Sequence, residues 1–428
     1  MVERSIGMYA PRRRWIILLT VVSISLAFLV KLVAQEPPPY PYDDANRSLD
    51  TLAYVSEDHQ LILYDVQDRA ETTLLQNVSS FVLSRDGRVA FTTVDENDHA
   101  LYVVDPSLPA TDPVVISQNP AAIHYPLSWS PDGRYVTFAS FGELADYPHY
   151  IWTYQGSYVA NSRDQSLFVW DGEKVTNIMP EDALAAAAAF RADWSEAGRL
   201  AFLIIHGWSM GAVPNELYLW DGHSTVSVSQ NPHSWDSRGR WSRDGQLLFG
   251  SQRHGGGIYV WDGTSLKDGA PDVDTFIRLP PELEPDSVTW MDDGSVATLV
   301  SSSPSTTKEV TVWDLESESV IRRIPVSSDN AWSSLTGDGQ LILSSHLASG
   351  IPSYYLDVED NSGNLLLSTH TGEYSWSPGG YLAYCGIEDG HSRVLSIWDG
   401  RETRVVARVS YRPVQWQNVG DTFSCNNG

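Results

Sequence analysis

Two cysteines, Cys385 and Cys425, are all that 428 residues contain. A multi-bridge disulfide scaffold and a cysteine-ligated zinc module are therefore excluded. Basic charge is scarce too: 28 Lys and Arg stand against 54 Asp and Glu, for a net charge of −26. Residues 1–36 hold five of the basic groups (Arg4, Arg12, Arg13, Arg14, Lys31) and two acidic ones (Glu3, Glu36), which leaves −29 on the remainder. Such a surface repels phosphate backbones, so nucleic acid is not an expected partner. The 11 His show neither a His-x-x-x-His nor a His-Glu-x-x-His spacing, so neither a metal site nor a cofactor is expected. Asp357-Val358-Glu359-Asp360-Asn361-Ser362-Gly363-Asn364 is acidic but has Ser362 where a calcium loop needs its sixth-position glycine, and it reads as a solvated turn. Aromatic residues, by contrast, are abundant. With 16 Trp, 20 Tyr, 11 Phe and 42% hydrophobic residues, the chain can bury a large core.

One long apolar run interrupts the acidic background: residues 15–34, WIILLTVVSISLAFLVKLVA. Twenty helical residues span roughly 30 Å, the thickness of a hydrocarbon core. Lys31 lies near its far end, where the side chain can snorkel toward head groups. Arg12, Arg13 and Arg14 precede the run, and the positive-inside bias puts residues 1–14 in the cytoplasm. This predicts a single-pass signal-anchor helix at 15–34, a Pro-rich spacer at 35–48, and an extracytoplasmic domain over 49–428. A cleaved signal peptide is the competing reading. It would need an unusually long apolar region and a poor cleavage site at Leu32-Val33-Ala34.

The domain is built on a repeat. Trp-Ser-x-Asp-Gly opens an alternating run, and after a variable loop a second apolar run ends in Trp-Asp-Gly. The clearest copy is WSPDGRYVTFAS (129–140) with LFVWDG (167–172). First halves also start at 83, 194, 241, 290, 335, 376 and 416, a mean spacing of about 48 residues, the size of a four-stranded antiparallel blade. Asp-Gly suits the tight turns, because glycine accepts positive φ and Asp bonds its own backbone. Three strands from residues 51–78, seven full copies and a last strand at 413–418 make eight blades of four strands. The all-β fold predicted is thus an eight-bladed β-propeller, its first blade completed by the C-terminal strand. TFSC (422–425) looks like a surplus strand competing with TLAYVS (51–56), which leaves a seven-bladed ring with one degenerate unit open.

These motifs, SPDG followed by an aromatic strand and then LxxWDG, resemble the WD-repeat-like propellers of the TolB family. They are also similar to the propellers attached to prolyl-oligopeptidase-type enzymes. The resemblance covers nearly all of 50–425, and the internal Gly-His of true WD repeats is missing. It implies a propeller, while function stays open because propellers bind, scaffold and catalyse alike. Gly207-Trp208-Ser209-Met210-Gly211 matches the Gly-x-Ser-x-Gly nucleophile elbow. That elbow must lead into a helix, which Ala212-Val213-Pro214 disfavours, and no residues remain outside the repeats for a hydrolase domain. A glycine-rich loop is expected there, and no catalytic residue is assigned.

Eleven Trp fall on repeat positions: Trp129, Trp194, Trp241, Trp290, Trp376 and Trp416, with Trp170, Trp220, Trp261, Trp313 and Trp398. Packing between blades accounts for them. Trp15 belongs to the membrane segment, which leaves Trp152, Trp208, Trp235 and Trp332 without a repeat role. The first and third connections of each blade are short Asp-Gly turns, so one face is expected to be uniform. Insertions gather on the other, the longest being 141–166 and 205–216. Trp152, Tyr154, Trp208 and Trp235, with His233 and His254, are the candidate ligand- or partner-binding residues of one sector of that face. The Ala run 185–189 predicts a helical turn or two between blades. Cys385 and Cys425 are equivalent positions of successive repeats, normally too far apart to bridge. The surplus strand TFSC could bring them together, so their disulfide remains open. The function expected is a non-enzymatic binding or scaffold module for a protein or glycan at the cell envelope. The alternative is a hydrolase or lyase with its site in the channel or rim.

Overall fold

The computed structural model describes residues 50–428 except for short stretches, chief among them 143–151, 181–186, 207–214, 280–287, 302–307, 326–331 and 348–353. The apolar run 15–34, expected to be a membrane anchor, and the Pro-rich stretch 35–48 lie outside the described residues. Within those residues no helix is long and apolar enough to cross a membrane.

Eight antiparallel sheets follow one another along the chain, each built on a four-stranded meander, with one strand added to the first and two to the fourth. Blade 1 joins Thr51–Val55, Leu61–Asp65 and Ala70–Leu75 to the C-terminal Pro413–Trp416. Blades 2 to 8 begin with Val78–Leu83, Ala122–Trp129, Ala187–Trp194, Arg240–Trp241, Thr289–Trp290, Trp332–Leu335 and Tyr374–Trp376. The fold is therefore a β-propeller of eight blades, and the seven-bladed alternative falls. The turns are made as the repeat requires. In blade 3, Gly133 adopts φ +70° and its N–H donates to the Ser130 carbonyl at 2.8 Å, while the Ser130 hydroxyl donates to Asp132 at 2.6 Å. At the Trp-Asp-Gly turn of the same blade, the Asp171 carboxylate accepts the Glu173 and Lys174 N–H groups at 3.0 and 2.8 Å.

The repeat Trp residues join neighbouring blades. Trp129 donates its indole N–H to the Val82 carbonyl (3.1 Å), Trp241 to that of Asp193 (3.1 Å), Trp290 to that of Arg240 (2.9 Å), and Trp416 to that of Ser375 (3.0 Å). Trp194 uses the Ser128 hydroxyl at 3.1 Å. Each acceptor sits one residue before the repeat position of the preceding blade, which is Leu83 in blade 2 and a Trp in the others. First strands thus bond to first strands, which makes them the inner wall of the ring. The core lies between blades: Leu127, Ala139, Leu167 and Val169 of blade 3 pack with Trp194, Phe202, Ile204 and Trp220 of blade 4. Blades 4 and 5 repeat the arrangement with Leu203, Leu217, Leu219, Leu247, Phe249 and Trp261.

Closure is specific. Leu52 stands opposite Trp416 and Tyr54 opposite Val414. The buried Gln415 amide then bonds blade 2, its oxygen accepting the Leu83 N–H at 2.7 Å and its nitrogen donating to the Leu83 carbonyl at 3.1 Å. The surplus strand does not compete for the slot. Thr422–Ser424 adds to the opposite, inner edge of Pro413–Trp416. That displacement brings Cys425 to Cys385 of blade 8, and the two form a disulfide with Cα atoms 5.3 Å apart.

Two expectations need correction. From Ala187 the Ala run is not helical: Ala187–Trp194 is a strand, bonded to Leu200–His206 on one side and Ser157–Val159 on the other. Two ladders of backbone bonds outweigh a propensity difference of under 1 kcal/mol per residue. The turn face is not uniform either. The third connection of blade 5 carries a small hairpin, Leu266–Lys267 with Ala270–Pro271, and a 3-10 turn over Val273–Thr275. Phe276 then packs edge-on against Phe249, which holds this insertion to the blade.

The turn carboxylates make stability depend on acid. Backbone N–H groups of Lys174 and Glu173 lower the Asp171 pKa below its ordinary 3.8, and hydrogen bonds from Ser295 and from Ser317 lower Asp293 and Asp314 likewise. A depressed carboxyl pKa stabilises the fold above the unfolded value and loses that contribution as pH falls through the folded one. Thermal stability is therefore expected to fall steeply below about pH 4 and to stay nearly flat, as far as these groups are concerned, from pH 5 to 7. Melting temperatures measured across that range check this, and an equally steep fall between pH 7 and 5 would refute it.

Candidate functional site

The longest insertion, in blade 3, lies at the end opposite the Asp-Gly turns and changes the wall of the ring. Val136–Gly142 leads into it and Gln165–Trp170 leads out. Between them, Trp152–Tyr154 and Ser157–Val159 pair as a hairpin, and that hairpin belongs to blade 4. Tyr158 stands opposite Phe190, and Val159 opposite Ala189. Blade 4 thereby becomes a six-stranded sheet whose innermost edge is Trp152–Tyr154. The pairing uses the start of Ala187–Trp194, the end away from the Trp194 turn, so the hairpin sits at the insertion-face mouth of the axis. Trp152 and Tyr154 occupy alternate positions of the edge strand, across from Val159 and Ser157.

Trp235 lies in the next link, between blades 4 and 5, and is 46% exposed. Its backbone is fixed on both sides. The Trp235 carbonyl accepts the Gln252 N–H at 3.2 Å, and Asp236 N–H donates to the Asn215 carbonyl at 3.0 Å. The buried Asp236 carboxylate accepts the Leu217 N–H at 3.1 Å. The link is thus bonded to blade 4 through Asn215 and Leu217 and to blade 5 through Gln252, and it holds a large aromatic side chain partly in solvent. Trp208, His233 and His254 lie outside the described residues, as does the 207–211 motif. The structure accordingly brings Trp152, Tyr154 and Trp235 to one sector, blades 4 and 5 of the insertion face.

The opposite mouth is bridged. Arg85, in the first turn of blade 2, makes a two-pronged ion pair with Glu196 in the first turn of blade 4, at 2.9 and 2.7 Å. Both side chains are about half exposed, so the pair adds little stability, but it spans blade 3 and narrows the axis at the turn face. Among the described residues no group of three or more His, Cys, Asp or Glu is placed to hold a metal ion.

Glu373 is the residue that sequence reasoning missed. It immediately precedes Tyr374–Trp376, the inner strand of blade 8, and burial pushes its carboxyl up to about 8. A carboxyl of that kind is neutral at pH 7. Sequence gives no sign of it, because HTGEYSW reads as a polar link before a repeat Trp.

No protein-family model matches this sequence, and no curated protein matches it. Solved structures do. The dihydro-heme d1 dehydrogenase NirN, in complex with DHE, is 14% identical over 86% of this chain and 75% of its own, with a TM-score of 0.49. Dipeptidyl peptidase 4 of Porphyromonas gingivalis is 13% identical over 76% of this chain, with a TM-score of 0.48, and the chain spans about half, 53%, of its length. TolB of Acinetobacter baumannii is 16% identical over 76% of this chain and 77% of its own, with a TM-score of 0.35. The resemblance to TolB-type and peptidase-type propellers is thus one of fold, and the eight sheets themselves carry that assignment.

Proposed function

We propose that the chain is a membrane-anchored, extracytoplasmic propeller that binds a protein or glycan of the cell envelope through blades 4 and 5 of its insertion face. The observation that supports this most is Trp235, a partly exposed indole on a backbone bonded to both blades. The Trp152–Tyr154 strand stands on the inner edge of blade 4. An exposed aromatic on a rigid frame is typical of an interaction site. The 15–34 run supports the anchor, and a buried disulfide suits an oxidising compartment. Trp152→Ala and Trp235→Ala are expected to leave the melting temperature within about 2 °C of the parent, as surface changes do. Both should abolish capture of the partner from envelope extract. Mutants that melt far lower would assign these rings to the core. Protease added to spheroplasts should digest the propeller, and full protection until lysis would reverse the orientation.

Glu373 favours a second reading, an enzyme that uses a neutral carboxyl at the start of the inner strand of blade 8 as a general acid. The two readings diverge on Glu373→Gln. A binding module keeps its affinity for the partner, whereas an enzyme loses turnover.

A further inference from the structure

The ring is closed twice at the seam between blades 8 and 1. The first closure is the pairing of Pro413–Trp416 with Thr51–Val55, reinforced by Gln415 and Trp416. Thr422–Ser424 adds to it on the other edge and is only three residues long, so its own backbone bonds seat it with little to spare. Cys425 follows at once and bonds to Cys385, with both residues buried. The covalent bond adds to that hold.

Glu373 lies under this strand. Tyr374 stands opposite Tyr384, and Ser375 opposite Ala383, so the next step of the register sets Glu373 opposite Cys385. The Cys385 N–H donates to the Glu373 carbonyl at 3.3 Å, in keeping with that step. Residues directly opposite share a sheet face. Cys385 reaches Cys425 from that face, so Glu373 occupies the face covered by the added strand. Neither Pro413–Trp416 nor Thr422–Ser424 carries a titratable side chain. Leu382–Glu388 carries Tyr384 and Glu388, and Leu365–His370 of blade 7 ends in His370. Burial alone raises the Glu373 carboxyl, with no charged neighbour contributing.

We infer that the C-terminal strand is a redox-set lock on the ring, and that Glu373 makes its hold depend on pH once the disulfide is open. While the bridge is intact, the strand stays seated whatever the charge beneath it. A phosphine reductant opens the bridge. Phosphorus attacks one sulfur, the S–S bond breaks, and water supplies the oxygen of the phosphine oxide and the two protons of the two thiols. The strand then rests on its few backbone bonds, and ionising the carboxyl it covers displaces it. Burial sets that ionisation near pH 8.

Hydrogen exchange of residues 422–425, corrected for the intrinsic pH dependence, reads the seating directly. In the full chain with the bridge intact, protection should be flat from pH 6 to 9. In Cys385→Ala/Cys425→Ala it should match the parent at pH 6 and fall at least tenfold by pH 9. Adding Glu373→Gln to that double variant should restore the flat profile. A flat profile in the double variant overturns the inference. So does a fall that survives Glu373→Gln, or protection already lost at pH 6. Should the double variant not fold, the parent reduced with the phosphine under native conditions gives the same three readings.

Discussion

Deletion of residues 413–428 is expected to lower the melting temperature by about 10 °C or more and to drive aggregation. The truncation removes the fourth strand of blade 1, both Gln415 bonds to Leu83, the Trp416 bond to Ser375, and the disulfide. It also bares the inner edge of Thr51–Val55 and the apolar flanks of blades 8 and 2. Unpaired strand edges of this kind template association. Thermal scanning with size-exclusion chromatography reads both effects. A soluble truncation with unchanged melting would show that the ring closes by other means.

Trp416→Ala is expected to cost roughly 3–5 kcal/mol, as large-to-small changes of fully buried aromatics do. Trp416 is wholly buried, and its indole N–H is bonded across the seam at 3.0 Å. Losing it leaves a cavity between blades 8 and 1 and removes the partner of the Ser375 carbonyl. The 46% exposed Trp235 should cost less than about 1 kcal/mol in the same urea titration. A cost under about 1 kcal/mol for Trp416 would mean that its ring is not part of the seam.

The fold was legible because the repeat states its own turn chemistry. Asp-Gly at a fixed spacing marks each hairpin, and one Trp per half-motif marks the surface between blades. The direction of the Trp bonds was not legible, since a Trp at a strand end gives no hint of which carbonyl it meets. The surplus strand was seen, but its place was not. Whether TFSC joins the outer or inner edge of 413–416 depends on room at the axis, which an eight-blade ring provides. Local propensity misled at Ala187–Ala189. Alanine favours helix in isolation, yet here two flanking strands satisfy its backbone. The candidate sector was only half legible. An unexplained Trp marked its position at 152 and 235, but neither residue revealed that the blade 3 insertion would be built into blade 4. Glu373 left no trace at all, because a Glu in a polar link before a repeat Trp gives no sign of what will pack over it.

Site-specific photo-crosslinking of the full chain in the cells that make it tests the account most directly. One benzophenone side chain replaces the exposed Gln252, whose N–H bonds the Trp235 carbonyl. Another replaces the exposed Glu173 in the Asp171 turn on the opposite face. The account predicts a discrete adduct from position 252 that Trp152→Ala suppresses, and none from position 173. An adduct from position 173 alone, or equal adducts from both faces, would contradict it.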